Sequence, residues 1–210
     1  DDQAPQMETD TGCRNSVENS QPRQCVAGDP SADRTVLVLG DSVAASWMPG
    51  VESAFTEQGW RVVGETYASC PMVSARFDRG DGANDGWSDD CASAQGRMLE
   101  AVLTVEPDLV ILSSAQSSLN HLASGATGDQ AEVEWRDATR DSIEEIQATG
   151  ARVAILANPP AGIDPSDCSV RILSPVDCVS EVSEAWYEKN SAERSAAEAT
   201  GSEYIDAKAW

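Results

Sequence analysis

A serine that follows an apolar strand and opens a helix is placed for nucleophilic chemistry, and Gly40-Asp41-Ser42 has that setting. The preceding run Thr35-Val36-Leu37-Val38-Leu39 is continuously apolar, the pattern of a strand covered on both faces in a parallel sheet. Val43 to Gln58 follows with Ala44, Trp47, Val51 and Phe55 at helical spacing, and Pro49 is expected to kink it. A hydroxyl at that junction has backbone N–H groups and a positive helix end beside it, and both stabilise an oxyanion as it develops. Ser42 is therefore the candidate nucleophile and Asp41 a supporting residue. The plainer reading is that Asp41 or Ser42 only caps the helix.

The elements that must position this serine alternate. After the first strand and helix, Trp60 to Thr66 reads as a second strand, and Cys70 to Asp90 as a loop rich in Asp and Gly. A helix is predicted over Ala92 to Val105, stopped before Pro107, and a third strand over Asp108 to Ser113. Glu132 to Thr149 reads as a helix ended by Gly150, Ala151 to Ala157 as the fourth strand, and 158–180 as loop. Glu181 to Thr200 is the last helix and Glu203 to Asp206 a short fifth strand. Strands alternating with helices predict a flavodoxin-like three-layer α/β/α fold with about five parallel strands. Right-handed crossovers favour the order 2-1-3-4-5, with ligands at the carboxyl ends of the strands. Residues 1–33 are polar, contain Pro5, Pro22 and Pro30, and read as a linker or arm before a domain over 34–210.

Composition narrows the partners. The 210 residues carry 14 Lys+Arg against 36 Asp+Glu, a formal charge of −22. That balance excludes a phosphate-gripping nucleic-acid surface and adhesion to an anionic membrane face. No apolar run reaches the length of a membrane span. The chain opens Asp1-Asp2 without Met or a signal sequence, which predicts a processed product or an excised fragment. Six cysteines form no C-x-x-C pair, and a single histidine leaves little for zinc. They fall into neighbouring couples, and the expected disulfides are Cys13–Cys25, Cys70–Cys91 and Cys168–Cys178; unrelated buried thiols are the alternative. Disulfides place the chain outside the plasma membrane. No metal or cofactor is implied. Asp78 to Gly86 tempts a calcium reading, but Ala83 and Ala92 stand where an EF-hand loop needs ligands, so a solvated acidic loop is expected. Trp47 and Trp87 are expected to pack, although a tryptophan at a site rim can stack on a sugar.

The segment Val38-Leu39-Gly40-Asp41-Ser42-Val43-Ala44-Ala45-Ser46-Trp47-Met48-Pro49 resembles the first block of SGNH hydrolases. More closely it resembles the SGNH domain fused to bacterial membrane acyltransferase-3 proteins. The resemblance extends through Ala68-Ser69-Cys70-Pro71, Cys91, Pro107 to Ser113, Gly150 to Val153, the Cys168 and Cys178 loop and Tyr204-Ile205-Asp206, so it covers about 34–210. It implies O-acyl transfer, in particular O-acetyl transfer, through a Ser42 acyl-enzyme to an envelope glycan or glycolipid. The acyl donor would arrive through a transmembrane acyltransferase-3 domain of the same polypeptide, at the extracytoplasmic face of a bacterial plasma membrane. Residues 1–33 look like the linker between the two domains. Water as acceptor would make an esterase or deacetylase; a non-catalytic module that binds glycan or its membrane partner is the reading from another class.

Two departures stand out. Val43 replaces the His that usually follows the serine. The family's D-x-x-H block, which supplies catalytic Asp and His, lies beyond the fifth strand, and Trp210 comes before it; truncation is the expectation. His121 is the only histidine and is expected to be a rim residue, with the catalytic base as its alternative role. The family's oxyanion amide has Asn120 and Gln116 as candidates, with Ser113 and Ser114 as further ones, and the Ser69 N–H is the candidate backbone donor.

Overall fold

The structure is a computed structural model that describes residues 23–80, 86–162 and 179–208. All six residues of the strand Thr35–Gly40, β2, are buried, as the unbroken apolar run requires. Each fully buried Val or Leu there contributes about 1.5–3 kcal/mol relative to exposure. Around β2 the sheet contains β1 (Arg23–Ala27), β3 (Arg61–Thr66), β4 (Leu109–Ser113), β5 (Arg152–Leu156) and β6 (Glu203–Ile205), in the order β1-β3-β2-β4-β5-β6. β2 to β6 pair in parallel, and β1 is antiparallel to β3. Numbered among themselves, the parallel strands run 2-1-3-4-5, as the crossover rule predicts.

β1 is the addition. It lies within the segment read as an arm and joins the sheet with Cys25 opposite Gly64. Its sequence, Arg-Gln-Cys-Val-Ala, has no alternation that would announce a strand; pairing with β3 makes it one.

The helices α1 (Ser42–Thr56), α2 (Trp87–Val105), α3 (Asp129–Gln147) and α4 (Glu184–Thr200) cover the two sheet faces. Ala44, Met48 and Val51 of α1 pack on Val36, Val38, Val62 and Ile111. The opposite face carries Leu37, Leu39, Val110, Leu112 and Ile155, packed against α2, α3 and the Ala192–Ala197 stretch of α4. α1 runs through Pro49 as one helix. α2 begins at Trp87, five residues before the predicted start, after Gly86 turns the chain with a left-handed φ of 78°. Asp89 and Asp90 in its first turn suit the positive helix end. α4 starts at Glu184 because the Ser183 hydroxyl caps it, accepting from the Trp186 N–H. A short 3-10 helix, Gln116–His121, follows β4 and has no counterpart in the sequence reading.

The Cys70–Cys91 disulfide is present, with Cα atoms 5.5 Å apart, and ties the loop after β3 to the first turns of α2. Cys13, Cys168 and Cys178 and the side chain of Cys25 lie outside the described residues, as does Asp81 to Asp85 of the acidic loop. The bridge spans a sequence separation of 21. A cross-link of that length restrains the unfolded chain by about 3 kcal/mol. Cys70→Ala/Cys91→Ala is expected to lower the unfolding free energy by about that amount in a denaturant titration; a loss below about 1 kcal/mol would argue against the restraint.

Candidate active site

The end of β2 is constrained before any chemistry is considered. Gly40 sits in register between Thr66 of β3 and Ser113 of β4. Its φ is 142°, and a Cβ there would stand 1.9 Å from the Ser113 carbonyl oxygen. Only glycine lets the two strand ends approach so closely. The Gly40 carbonyl accepts from the Tyr67 N–H at 3.0 Å, which brings the turn after β3 beside the turn that follows β2. In that turn Ser69 has a left-handed φ of 60°, unusual for a residue with a side chain.

Asp41 is fully buried at the amino end of α1. Its Oδ1 accepts from the Val43 N–H at 2.8 Å, and its Oδ2 accepts from the Ala115 N–H at 2.7 Å and the Ser118 hydroxyl at 3.3 Å. Burial pushes its carboxyl above the ordinary value. The Ala115 and Val43 N–H groups, the Lys189 charge and the Ser118 hydroxyl pull the other way. Ser42 is the first residue of α1 and is exposed. Its N–H is one of the donors that a helix start leaves without an intrahelical partner. The arrangement thus sets an accessible hydroxyl and a backbone donor together at the carboxyl edge of the sheet.

The other candidates divide. Ser69 is brought near by the Tyr67–Gly40 hydrogen bond. Gln116 opens the 3-10 helix and donates from Nε2 to the Ser183 hydroxyl at 2.7 Å, so its amide ties that helix to the cap of α4. Asn120 is exposed on the same 3-10 helix. His121 ends it, its carbonyl accepting from the Asp78 N–H at 2.8 Å, and among the described residues no hydrogen bond joins its ring to Ser42. Ser113 and Ser114 are buried. Trp87 is largely buried under the Arg79 guanidinium, and Trp47 is half-buried against the α1-side core. Among the described residues no group of His, Cys, Asp and Glu could hold a metal ion, and no helix is long and apolar enough to cross a membrane.

Behind Asp41 is a polar cluster that the sequence reading missed. Lys189 is fully buried; its Nζ donates to the Ser114 carbonyl at 3.1 Å and to Glu193 Oε1 at 2.5 Å. Glu193 Oε1 also receives the Trp135 Nε1–H at 3.4 Å and the Ser114 hydroxyl at 3.5 Å. The available signal was a Lys–Glu pair four residues apart in an alanine-rich helix. That spacing ordinarily marks a solvated face.

The mostly parallel sheet with helices on both faces matches SGNH-hydrolase-like folds. The chain belongs to the family described as the SGNH domain fused to AT3 domains, whose model matches residues 10–208. That match begins inside the segment read as an arm. Among curated proteins none matches the sequence. The fold is similar to the periplasmic domain of a lipopolysaccharide acetyltransferase from Salmonella ser. Paratyphi A, at 18% identity, TM-score 0.63, covering 84% of this chain and 67% of that one. It is also similar to Est24, a carbohydrate acetylesterase from Sinorhizobium meliloti, at 15% identity, TM-score 0.52, covering 82% and 83% of the two chains.

Two substitutions probe this corner. Gly40→Ala is expected to lower stability by at least about 2 kcal/mol, since backbone strain and overpacking each cost about 1–3 kcal/mol. Thermal unfolding measures it, and an unchanged midpoint would mean that β2 and β4 do not approach as described. Asp41→Asn keeps an acceptor for Val43 but turns an amide toward the Ala115 N–H, a loss of about 1–3 kcal/mol. A carboxyl raised by folding contributes most below its unfolded value of about 3.9 and loses that contribution as pH rises through the folded value. The wild-type advantage over Asp41→Asn should therefore be largest in acid and shrink toward neutral pH. Unfolding titrations across that range test the sign, and an advantage that grew with pH would mean that the donors around Asp41 outweigh its burial.

Proposed function

We propose that this domain transfers an acyl group, in particular acetyl, to a hydroxyl of an envelope glycan or glycolipid through an acyl-enzyme on Ser42. The observation that carries the reading is the junction itself: an exposed serine on the first residue of α1, held by a buried, multiply bonded Asp41. In the first step Ser42 Oγ attacks the acyl carbonyl, its proton passes to a base, and the donor's leaving group departs as the Ser42 ester forms. In the second, the acceptor hydroxyl attacks that ester, and Ser42 recovers its proton as the new ester leaves. The Ser42 N–H and the Ser69 N–H are the proposed donors to the oxyanion. The reading gives His121 no part in deprotonating Ser42, because among the described residues its ring makes no hydrogen bond to Ser42.

Membership in the family of SGNH domains fused to AT3 domains, and the likeness in fold to an acetyltransferase domain and a carbohydrate acetylesterase, support acyl chemistry and a membrane acyltransferase-3 partner. An extracytoplasmic setting agrees with the Cys70–Cys91 disulfide. The solvent-open position of Ser42 also favours a second reading, in which water is the acceptor and the domain is a carbohydrate esterase.

The test uses the full-length membrane protein with an acetylated donor and an envelope glycan acceptor. Ser42→Ala is expected to reduce transfer at least about a thousandfold, and mass spectrometry of the wild type quenched during turnover should find acetyl on Ser42. Release of free acetate in place of acetylated glycan, still dependent on Ser42, would select the esterase reading. Transfer unaffected by Ser42→Ala would eliminate the serine mechanism, and loss of activity in His121→Ala would make His121 the base.

A further inference from the structure

We propose that Lys189 is a positioning residue for Ser42, acting on Asp41 through the single peptide group between Ser114 and Ala115. The carbonyl of that group accepts from Lys189 Nζ at 3.1 Å, and its N–H donates to Asp41 Oδ2 at 2.7 Å. One planar amide thus stands between a buried cation and a buried carboxylate, and its two polar ends are its only rigidly linked handles. A cation at the carbonyl polarises the amide and strengthens the N–H as a donor, and in a low-dielectric interior such chains reinforce one another. Asp41 in turn caps α1 through the Val43 N–H, so the amide fixes the turn that carries Ser42.

The rest of the cluster is built to hold the cation in place. Lys189 has no solvent exposure, pairs with Glu193 one turn along α4, and lies 5.3 Å from the Trp135 ring centroid. Trp135 and the Ser114 hydroxyl both donate to the same Glu193 oxygen that pairs with Lys189. The other oxygen, Glu193 Oε2, is buried and among the described residues has no hydrogen-bond partner. A buried pair with an unsatisfied oxygen is a poor device for stability, since desolvation offsets much of the attraction. Contact with the Ser114 carbonyl is what the pair accomplishes that an apolar replacement would not.

For its functional consequence the proposal rests on Ser42 as the nucleophile, so the experiment has one arm that needs no activity. The variant is K189M/E193Q, which removes both charges together, keeps unbranched side chains of similar size and leaves no lone buried charge. In amide NMR spectra the Ala115 proton, deprived of the polarising cation, is expected to move upfield. In the full-length protein the same variant is expected to lose kcat by about tenfold to a hundredfold, the scale of a small misplacement of a catalytic group, with KM within about twofold. An Ala115 proton that stays in place in a folded variant overturns the proposal, and so does a shifted proton with unchanged kcat. Should the variant not fold, the wild type decides: the Lys189 ammonium must give a slowly exchanging signal with scalar coupling to the Ser114 carbonyl carbon, and absence of that coupling refutes the contact. Failure of the Ser42 mechanism would show as activity in Ser42→Ala and would leave the NMR results untouched.

Discussion

The carboxyl edge of this sheet depends on the need to satisfy one buried carboxylate. Asp41 has no access to water, and a buried carboxyl without partners would cost several kcal/mol. Its partners come from the helix that it caps and from residues 74 and 77 positions later in the chain. To supply them, the chain leaving β4 must turn back over the end of β2, and the 3-10 helix is the shape of that return. Ser42 inherits its position from this arrangement. It follows a residue with almost no freedom, yet its own side chain stays in solvent.

The division of labour across the sheet is clear. Both faces are apolar and carry the stability of the domain through two packed cores. A cluster of polar burial lies at the carboxyl end: Asp41, Ser113, Ser114, Ser118, Lys189 and Glu193 are all inaccessible or nearly so. Such burial is tolerable because nearly every member bonds to another, and it stiffens the site because the bonds from the Ala115 N–H and Ser118 to Asp41, and from Lys189 to the Ser114 carbonyl, cross between elements. Gly40 is part of the same economy of space. The absence of its side chain lets the Ser113 carbonyl come close, and Ser113 leads directly into the Ser114–Ala115 amide that Asp41 uses.

How much of this was legible follows from the range of the interactions. β2, β4 and β5 are apolar runs, and their burial is written in four or five consecutive residues. The parallel order followed from alternation and handedness. The Gly40-Asp41-Ser42 junction was legible as a type of site because strand, turn and helix are contiguous. β1 was not, since its stability comes from β3, some forty residues away. The 3-10 helix was not, since Gln-Ser-Ser-Leu-Asn-His has no periodicity and takes its form from Asp41. Lys189 was the hardest, because the local pattern of a Lys–Glu pair at a spacing of four describes a wet surface. What buries it is the packing of α4 on α3, where Ala192, Ala196 and Ala197 let the helices approach.

That packing gives α4 a part in the site that its place near the end of the sequence conceals. It reaches the β4 extension through Ser183, Lys189 and Glu193. Gln116 bonds to Ser183 at the helix cap, and Lys189 bonds to the Ser114 carbonyl further along, across separations of 67 and 75 residues. Contacts of such range carry a loop-closure cost that local contacts do not. Until α4 docks, the Ser114–Ala115 amide has no cation at its carbonyl and the 3-10 helix has no anchor at Gln116. The turn that carries Ser42 is encoded by contiguous residues, but its geometry is completed by α4, far along the chain. Disturbance of the α3–α4 contact is therefore felt at Ser42 as well as in global stability, although neither helix contributes a residue to the exposed face of the site around it.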